Sequence, residues 1–277
     1  MADNSESDQP EVADSDSADW LALRDAAYLG RLMPLLRLAV KLYFRSDVQG
    51  LDNIPDGGAL LVSNHSGGLV PMDVPVVAVA FHDHFGGERP FYVLAHDGLL
   101  QIGKPVLGPA GFLPASRDNA IAALRSGATT MVFPGGDYDV FRPTKDANKI
   151  DFGGRTGYVR TALDAGVPIV PVVSTGGQEQ YLFLSRGEWV ARLLRLDKLF
   201  RLKIAPIIVG VPFGLTSGFV PNLPLPAKIV TRVLEPVHIA EEFGPDPDVD
   251  AVDRAVRDRM QHAVDDLARE RRFPIIG

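Results

Sequence analysis

From Leu51 onward the chain alternates short apolar runs with stretches of helical character, and this alternation limits the folds open to it. Apolar runs of about four to eight residues bounded by Gly and Pro are typical of buried strands, and strands that alternate with helices pair mostly in parallel. The sequence therefore predicts an α/β fold with a mainly parallel central sheet flanked by helices. The expected strands cover residues 59–63, 91–95, 129–133, 169–173, 204–209 and 229–233. The expected helices cover residues 74–81, 117–126, 157–165 and 248–271.

The first expected strand leads into a histidine, His65, which Gly67 and Gly68 follow. Ligands of open α/β sheets bind beyond the carboxyl ends of the strands, and glycine lets the backbone bend sharply there. Imidazole is the side chain best suited to take a proton near neutral pH when a partner fixes its tautomer. Asp73 is the first carboxylate after it and is a candidate partner. On their own, these residues also fit a packed histidine and an aspartate that caps the next helix.

Three further stretches place glycine-rich turns or a cation next to predicted elements. They are GFLPASR at 111–117, VFPGGDYD at 132–139 and VPIVPVVSTGG at 167–177. The first ends in Arg117 at the start of a predicted helix, and the second leaves a strand through Pro134, Gly135 and Gly136. Such turns expose backbone N–H groups and allow a ligand to approach closely.

Taken in order after SNHSGGLVPMD at 63–73, these stretches resemble the glycerolipid acyltransferase family that includes the 1-acylglycerol-3-phosphate acyltransferases. The resemblance covers residues 48–237. It implies an O-acyltransferase of lipid metabolism and phospholipid biosynthesis, which moves a fatty acyl chain from acyl-CoA or acyl carrier protein to a glycerolipid hydroxyl. The acceptor would be a lysophospholipid or a mono- or diacylglycerol. Acyl-CoA would be a co-substrate, and no cofactor is implied.

The resemblance also assigns roles to single residues. His65 takes the position of the family's catalytic base, and Arg117 that of the substrate-binding arginine of the second motif. The third motif commonly reads F-P-E-G-x-R, but here it is similar to the P-G-G-x-x-E form of the diacylglycerol acyltransferase-like branch. Gly135, Gly136 and Asp139 then stand at substrate-binding positions.

Two departures from the family pattern bear on these roles. The first motif is usually H-x4-D, whereas the fifth residue after His65 is Val70 and the carboxylate is Asp73, eight residues on. The resemblance makes Asp73 the catalytic partner if the Gly67–Gly68 loop absorbs the three extra residues. The third motif also lacks its arginine, which favours a neutral acceptor over a phosphorylated one.

Two alternative functions stay open at this point. A lipid esterase or thioesterase would use His65 to activate water instead of an alcohol. A non-catalytic lipid-binding protein would keep the scaffold while the displaced Asp73 leaves the pair defective.

Composition excludes several other classes. The formal charge is −7, but residues 1–19 hold seven carboxylates and no Lys or Arg, so the remaining chain is balanced at 28 basic and 28 acidic residues. A nucleic-acid partner, which usually requires a basic stripe, is therefore not expected. The chain has no cysteine, and its histidines show no metal-ligand spacing, so we predict neither disulfides nor a metal site.

The chain divides into a disordered acidic tail at 1–18, an amphipathic N-terminal helical segment at 19–46 and an acyltransferase-like α/β domain at 47–277. Pro34 is expected to kink or divide the N-terminal helix. Basic residues on that helix, and a second basic amphipathic helix predicted at 188–204, fit either contact with a membrane lipid surface or ordinary surface helices. No apolar run reaches the roughly 18 residues of a membrane span, and no signal peptide is apparent. We therefore expect a cytoplasmic protein that associates peripherally with the inner face of the membrane.

Overall fold

The computed structural model describes residues 17, 19–68, 71–196, 204–271 and 273. Its strands are β1 Asp47–Gln49, β2 Ala59–Ser63, β3 Phe91–Ala95, β4 Phe112–Pro114, β5 Thr129–Val132, β6 Ile169–Thr175, β7 Leu182–Ser185, β8 Ile207–Gly210, β9 Gly214–Ser217 and β10 Val230–Val233. Its helices are α1 Ala26–Arg37, α2 Asp73–Phe85, α3 Asp97–Leu107, α4 Arg117–Arg125, α5 Gly136–Val140, α6 Gly157–Ala165, α7 Glu188–Leu193, α8 Ile239–Phe243 and α9 Val249–Glu270.

The described strands form two sheets. The central sheet has the order β1-β10-β6-β2-β5-β3-β4, and the smaller sheet has the order β7-β8-β9. All neighbouring strands of the central sheet are parallel except β10 and β6, which are antiparallel. The prediction of a mainly parallel sheet flanked by helices is therefore confirmed.

The central strand β2 shows why the sheet is covered on both faces. Successive side chains of a strand point to opposite faces, and every residue of β2 is buried. Leu60 and Val62 pack with residues of α6 and α9 on one side. Ala59 and Leu61 pack with residues of α2 on the other side. This three-layer packing fixes the end of β2, where His65 follows.

One predicted strand joins a different sheet from the one expected. The apolar run at 204–209 forms β8, which begins at Ile207 and pairs only in the antiparallel β7-β8-β9 sheet. The run looks like the core strands because one face of the small sheet is buried, with Phe183 and Ile208 packed against Val140 and Phe141. Hydrophobicity alone does not reveal which strands pair, because pairing depends on residues far apart in the sequence.

The N-terminal segment packs on the α/β domain. Asp25 caps α1 by accepting hydrogen bonds from the N–H groups of Ala27 and Tyr28. The helix runs through Pro34 to Arg37 and continues into a π-helix at Leu38–Tyr43, so the proline does not divide it, and the alternative prediction of a kink stays a prediction. A core cluster joins the two helical parts to α2 and the loop before β10, with the buried residues Leu29, Met33, Val40, Phe44, Met72, Val76, Val79 and Ile229.

Two other predictions fall partly outside the described residues. The acidic tail at 1–18 does so except for Ser17. Of the basic helix predicted at 188–204, α7 covers only Glu188–Leu193, and residues 197–203 lie outside the description. No described helix combines the length and the apolar character that crossing a membrane requires.

Candidate active site

The site begins where β2 ends at the carboxyl edge of the central sheet. His65 lies two residues beyond Ser63, and the chain turns through Gly67 and Gly68, whose φ angles of 95° and 74° favour glycine. Asn64 holds the start of this turn against β6, because its amide donates to the carbonyl of Ser174 and accepts from the Ser174 N–H, both at 2.9 Å. The histidine is thus carried on a loop that two central strands fix in place.

Asp73 lies beside His65 in spite of the longer spacing. It is the first residue of α2 and is fully buried, and its Oδ2 lies 3.2 Å from Nδ1 of His65. Ser66 donates its N–H to the same oxygen at 2.7 Å and its hydroxyl to Oδ1 at 2.9 Å. The carboxylate therefore has donors on both oxygens, which stabilises its charge inside the protein. The Ser66 hydroxyl is directed at Asp73 and not at the imidazole, which is not the geometry of a serine nucleophile.

The imidazole of His65 is held on its ring face as well as at Nδ1. Its ring stacks on that of Phe133 with a centroid distance of 4.0 Å and an interplanar angle of 26°. Its side chain keeps 13% of its surface exposed. Because Nδ1 faces Asp73, the neutral ring presents Nε2 as its proton acceptor. This geometry suits a general base, and that role of His65 stays a prediction.

Asp139 holds the His65 loop in place through a hydrogen bond to its backbone. Its side chain is buried, its Oδ2 accepts the backbone N–H of His65 at 2.5 Å, and its Oδ1 pairs with the buried guanidinium of Arg142. Burial raises the pKa of Asp139 to about 6, and the opposing effects of Arg142 and the His65 N–H are smaller. The predicted role of Asp139 in substrate binding stays a prediction, but its burial favours a positioning role.

The third-motif glycines make room for this carboxylate. A Cβ atom on Gly135 would overlap the Cβ of Asp139 and lie 2.9 Å from its carboxyl carbon. Gly136 begins α5 with a φ of 48°, and a Cβ there would lie 2.9 Å from a guanidinium nitrogen of Arg155. Arg155 also donates to the carbonyl of Gly135 at 2.6 Å. The two glycines therefore shape the turn, and direct substrate binding by them stays a prediction.

Gln178 connects the His65 loop to the segment after α5. Its Oε1 accepts the N–H of Gly67 at 3.3 Å, and its Nε2 donates to the carbonyl of Arg142. Next to it, Gly177 packs directly against Ser66. Sequence analysis missed Ser66, Gln178 and Arg142 as part of the site. The only sequence signal was the Gly176–Gly177 pair at the end of β6, which marked a close approach without saying to what.

Arg117 lies apart from the dyad of His65 and Asp73. It begins α4 after β4, and β4 is three strands from β2, which corresponds to about 14 Å. Its guanidinium pairs with Asp164, and both side chains are about half exposed. The structure thus gathers His65, Asp73 and Asp139 but not Arg117, whose phosphate-binding role stays a prediction. No group of three or more His, Asp or Glu side chains in the described part of the chain is arranged to hold a metal ion.

The raised pKa of Asp139 predicts a pH dependence of stability. Near pH 5 the folded chain holds a proton at Asp139 that the unfolded chain has released, so stability falls as the pH rises from about 4 to about 6. The loss is on the order of 3 kcal/mol. Urea unfolding across this range should show the decline for the native chain and a flatter curve for Asp139→Asn, which cannot titrate. Parallel curves for the two proteins would contradict the assignment.

Comparison with known proteins identifies a family domain in the chain. Residues 45–175, from before β1 to the end of β6, match the family model described as Acyltransferase. An uncharacterized protein of Mycobacterium tuberculosis is 34% identical over 236 residues, which cover 83% of this chain and 63% of that protein. The mouse protein named "DGAT1/2-independent enzyme synthesizing storage lipids" is 28% identical over 200 residues, which cover 68% of this chain and 55% of the relative. The chain thus spans less than two thirds of the length of these relatives.

A solved structure shares the fold. The crystal structure of the 1-acyl-sn-glycerophosphate (LPA) acyltransferase PlsC from Thermotoga maritima aligns with a TM-score of 0.51 at 18% identity. The alignment covers 93% of this chain and 98% of that one. This similarity shows that the two chains share the fold of a mainly parallel sheet flanked by helices. The matched family model shows that residues 45–175 form an acyltransferase domain, and the names of the listed relatives agree with a glycerolipid acyltransferase family.

Proposed function

We propose that the chain is an O-acyltransferase that moves a fatty acyl chain from acyl-CoA or acyl carrier protein to a glycerolipid hydroxyl. The observation that carries the proposal is the 3.2 Å contact between His65 Nδ1 and the buried carboxylate of Asp73. A lipid hydroxyl is a poor nucleophile at neutral pH, and an oriented imidazole is the base that such a reaction needs. Family membership supports the acyl-transfer chemistry.

The proposed reaction uses His65 twice. Nε2 takes the proton of the acceptor hydroxyl as its oxygen attacks the thioester carbonyl carbon, and Asp73 stabilises the imidazolium that forms. Collapse of the tetrahedral intermediate breaks the carbon–sulfur bond and forms the ester. The departing thiolate then takes the proton back from the imidazolium, which returns His65 to its starting state. No acyl-enzyme is formed in this sequence.

The surroundings of the dyad favour a neutral acceptor over a phosphorylated one. Arg142, the closest arginine after the third motif, is buried and paired with Asp139, so its charge is already compensated. Arg155 pairs with Asp137 at 3.0 Å beside the Gly135–Gly136 turn. Mono- and diacylglycerol, which carry no phosphate, fit this charge distribution better than lysophosphatidic acid does. Arg117 is left as the proposed partner of a phosphate group of the coenzyme.

Product identification by mass spectrometry tests the proposal. The protein is incubated with a long-chain acyl-CoA and, in separate reactions, with lysophosphatidic acid, lysophosphatidylcholine, monoacylglycerol and diacylglycerol dispersed in detergent. We expect an ester product and free coenzyme A in equal amounts, with faster formation from the neutral acceptors. Free fatty acid released equally fast with and without acceptor would instead show hydrolysis, and no product from any acceptor would refute the transfer.

The proposed enzyme works on the membrane surface, at the cytoplasmic face. Arg192 and Arg195 are exposed on α7 and the turn after it, beside the half-exposed Trp189. Cations beside a tryptophan are typical of segments that contact anionic lipid headgroups. Lys198, the next cation of the same segment, lies outside the described residues.

A further inference from the structure

The small antiparallel sheet exposes an apolar face. Leu182 of β7 pairs with Val209 of β8, which in turn pairs with Leu215 of β9. Residues directly opposite each other in a sheet point to the same face, so these three side chains form one row across it. They are 48%, 38% and 69% exposed. A half-solvated antiparallel sheet ordinarily carries polar residues on its outer face, and this row is apolar instead.

The inner face of the same sheet is packed on the catalytic motifs. Phe183 and Ile208, which pair with each other, are buried against Phe141, just beyond the end of α5. Because α5 carries Asp139, this packing joins the sheet to the support of the His65 loop. The outer row therefore lies on a sheet whose opposite face is packed against the core of the protein.

The exposed apolar surface continues from this row to the hairpin between β8 and β9. Val211 and Phe213 lie in the hairpin and are 51% and 59% exposed. Leu223, 63% exposed, donates its N–H to the carbonyl of Val211 at 2.7 Å. The next residue, Pro224, accepts a hydrogen bond at 2.6 Å from the hydroxyl of Tyr43.

Tyr43 links the hairpin to the N-terminal helix. Leu35, Leu38 and Leu42 of this helix line one open, shallow cavity, so they share one face, and each is more than half exposed. Contiguous apolar patches above a few hundred Å² are rare on monomeric proteins and mark contact surfaces. The outer row, the hairpin and this leucine stripe together are called the apolar docking surface below.

The charges of the two segments that build this surface identify its partner. Residues 26–46 contain four basic residues, Arg31, Arg37, Lys41 and Arg45, and no acidic one. Residues 180–234 contain eight basic residues, Arg186, Arg192, Arg195, Lys198, Arg201, Lys203, Lys228 and Arg232, and only two acidic ones, Glu188 and Asp197. Arg37 and Lys41 pair with Asp83, and Arg232 pairs with Glu270, but both segments still keep an excess of positive charge, which disfavours contact with a second copy of the chain. Apolar side chains flanked by cations match a bilayer with anionic headgroups.

We propose that the apolar docking surface inserts into an anionic phospholipid bilayer, with the β7-β8-β9 sheet lying on the acyl region as its main contact. The inference rests on the proposed membrane association but not on the proposed reaction. Insertion of the apolar docking surface and headgroup contact by the basic α7 segment would hold the protein on the membrane by different forces. Insertion is held by the removal of apolar area from water and survives salt, whereas headgroup attraction is screened.

Vesicle flotation separates the two forces. Vesicles of phosphatidylcholine and phosphatidylglycerol in equal parts are mixed with the full chain, without acyl donor, at low salt and at about 1 M salt, where the screening length is about 3 Å. We expect Leu182→Ser with Leu215→Ser to lower the partition coefficient by about tenfold for each side chain, on the order of 100-fold together, at both salt concentrations. Arg192→Gln with Arg195→Gln should weaken binding at low salt only.

A matched variant controls for the loss of any exposed apolar residue. Leu99→Ser with Ile102→Ser changes two exposed residues of α3, which packs on the edge strand β4 of the central sheet and is not part of the apolar docking surface. These substitutions should leave flotation unchanged, and all variants should keep native circular dichroism and melting temperature.

Four outcomes would overturn the inference. They are undiminished flotation of the sheet variant, an equal loss for the α3 variant, complete release of the native chain at high salt, and light scattering that shows a native dimer which the sheet variant makes monomeric. The last would assign the face to a second copy of the chain. Acyl transfer to detergent-dispersed acceptors is measured separately, so failure of this inference does not resemble failure of the proposed reaction.

Discussion

Replacing His65 by glutamine is expected to lower the rate of acyl transfer by about a thousandfold while the protein stays folded. Glutamine fills a similar volume and can keep a hydrogen bond to Asp73, but it cannot accept a proton at neutral pH. The loss therefore falls on the chemical step, with the acceptor bound as before. Product formation under saturating acyl-CoA, measured by mass spectrometry, gives the comparison.

His238→Gln is the matched control, because His238 is exposed in the loop before α8 and lies outside the dyad. It should leave the rate unchanged. Both variants are to be checked for native circular dichroism and for an unaltered unfolding transition. If the His65 variant keeps its activity within a few fold of the native rate, His65 is not the base, and the proposed mechanism fails.

Replacing Gly177 by alanine is expected to displace Ser66 and Asp73 and so to disturb the dyad of His65 and Asp73. The φ angle of Gly177 lies outside the left-handed region, so alanine meets no backbone strain there. Its Cβ would, however, overlap the Ser66 hydroxyl and lie 3.1 Å from Asp73 Oδ1. Because Ser66 binds Asp73 through both its N–H and its hydroxyl, displacing it moves the carboxylate that orients His65. We expect a loss of about 1–3 kcal/mol of stability. Activity should fall about a hundredfold.

A double variant separates this steric mechanism from a general loss of stability. Ser66→Ala removes the overlapping hydroxyl at a cost of about 1 kcal/mol in hydrogen bonding. Combined with Gly177→Ala, it should restore part of the stability and activity, so that the double variant is better than Gly177→Ala alone. Gly157→Ala, where the added atom meets nothing within 4 Å, should be harmless. Strictly additive losses in the cycle would show that Ser66 and Gly177 do not act through each other.

Sequence reasoning predicted the core of the fold because its signals are local. β2, β3 and α6 begin and end where the apolar runs and glycine stops indicated, at Ala59–Ser63, Phe91–Ala95 and Gly157–Ala165. The small sheet was missed because pairing of β8 with β7 and β9 depends on side chains that meet only after folding. The short strands β4 and β9 were also missed, because β4 has only three residues and β9 has only one large apolar residue, Leu215, so neither forms an apolar run.

The site divides in the same way. His65 and Asp73 were predicted from the first motif, and the structure brings them together because Gly67 and Gly68 turn the loop back onto the start of α2. The burial of Asp139 was not predictable from its position in the third motif. It depends on Gly135, which leaves space for the carboxylate beside the His65 N–H. The burial of a side chain such as Asp139 and its hydrogen-bond partners depend on the packed structure, and no periodic pattern in the sequence indicates them.

The position of Asp73 has a mechanical consequence. It is the first residue of α2, and further along the same helix Val76 and Val79 pack on the N-terminal helix. Protein interiors are packed densely enough to transmit small displacements through a helix of this length. The carboxylate that contacts His65 and the side chains that contact the N-terminal helix therefore belong to one continuous helix.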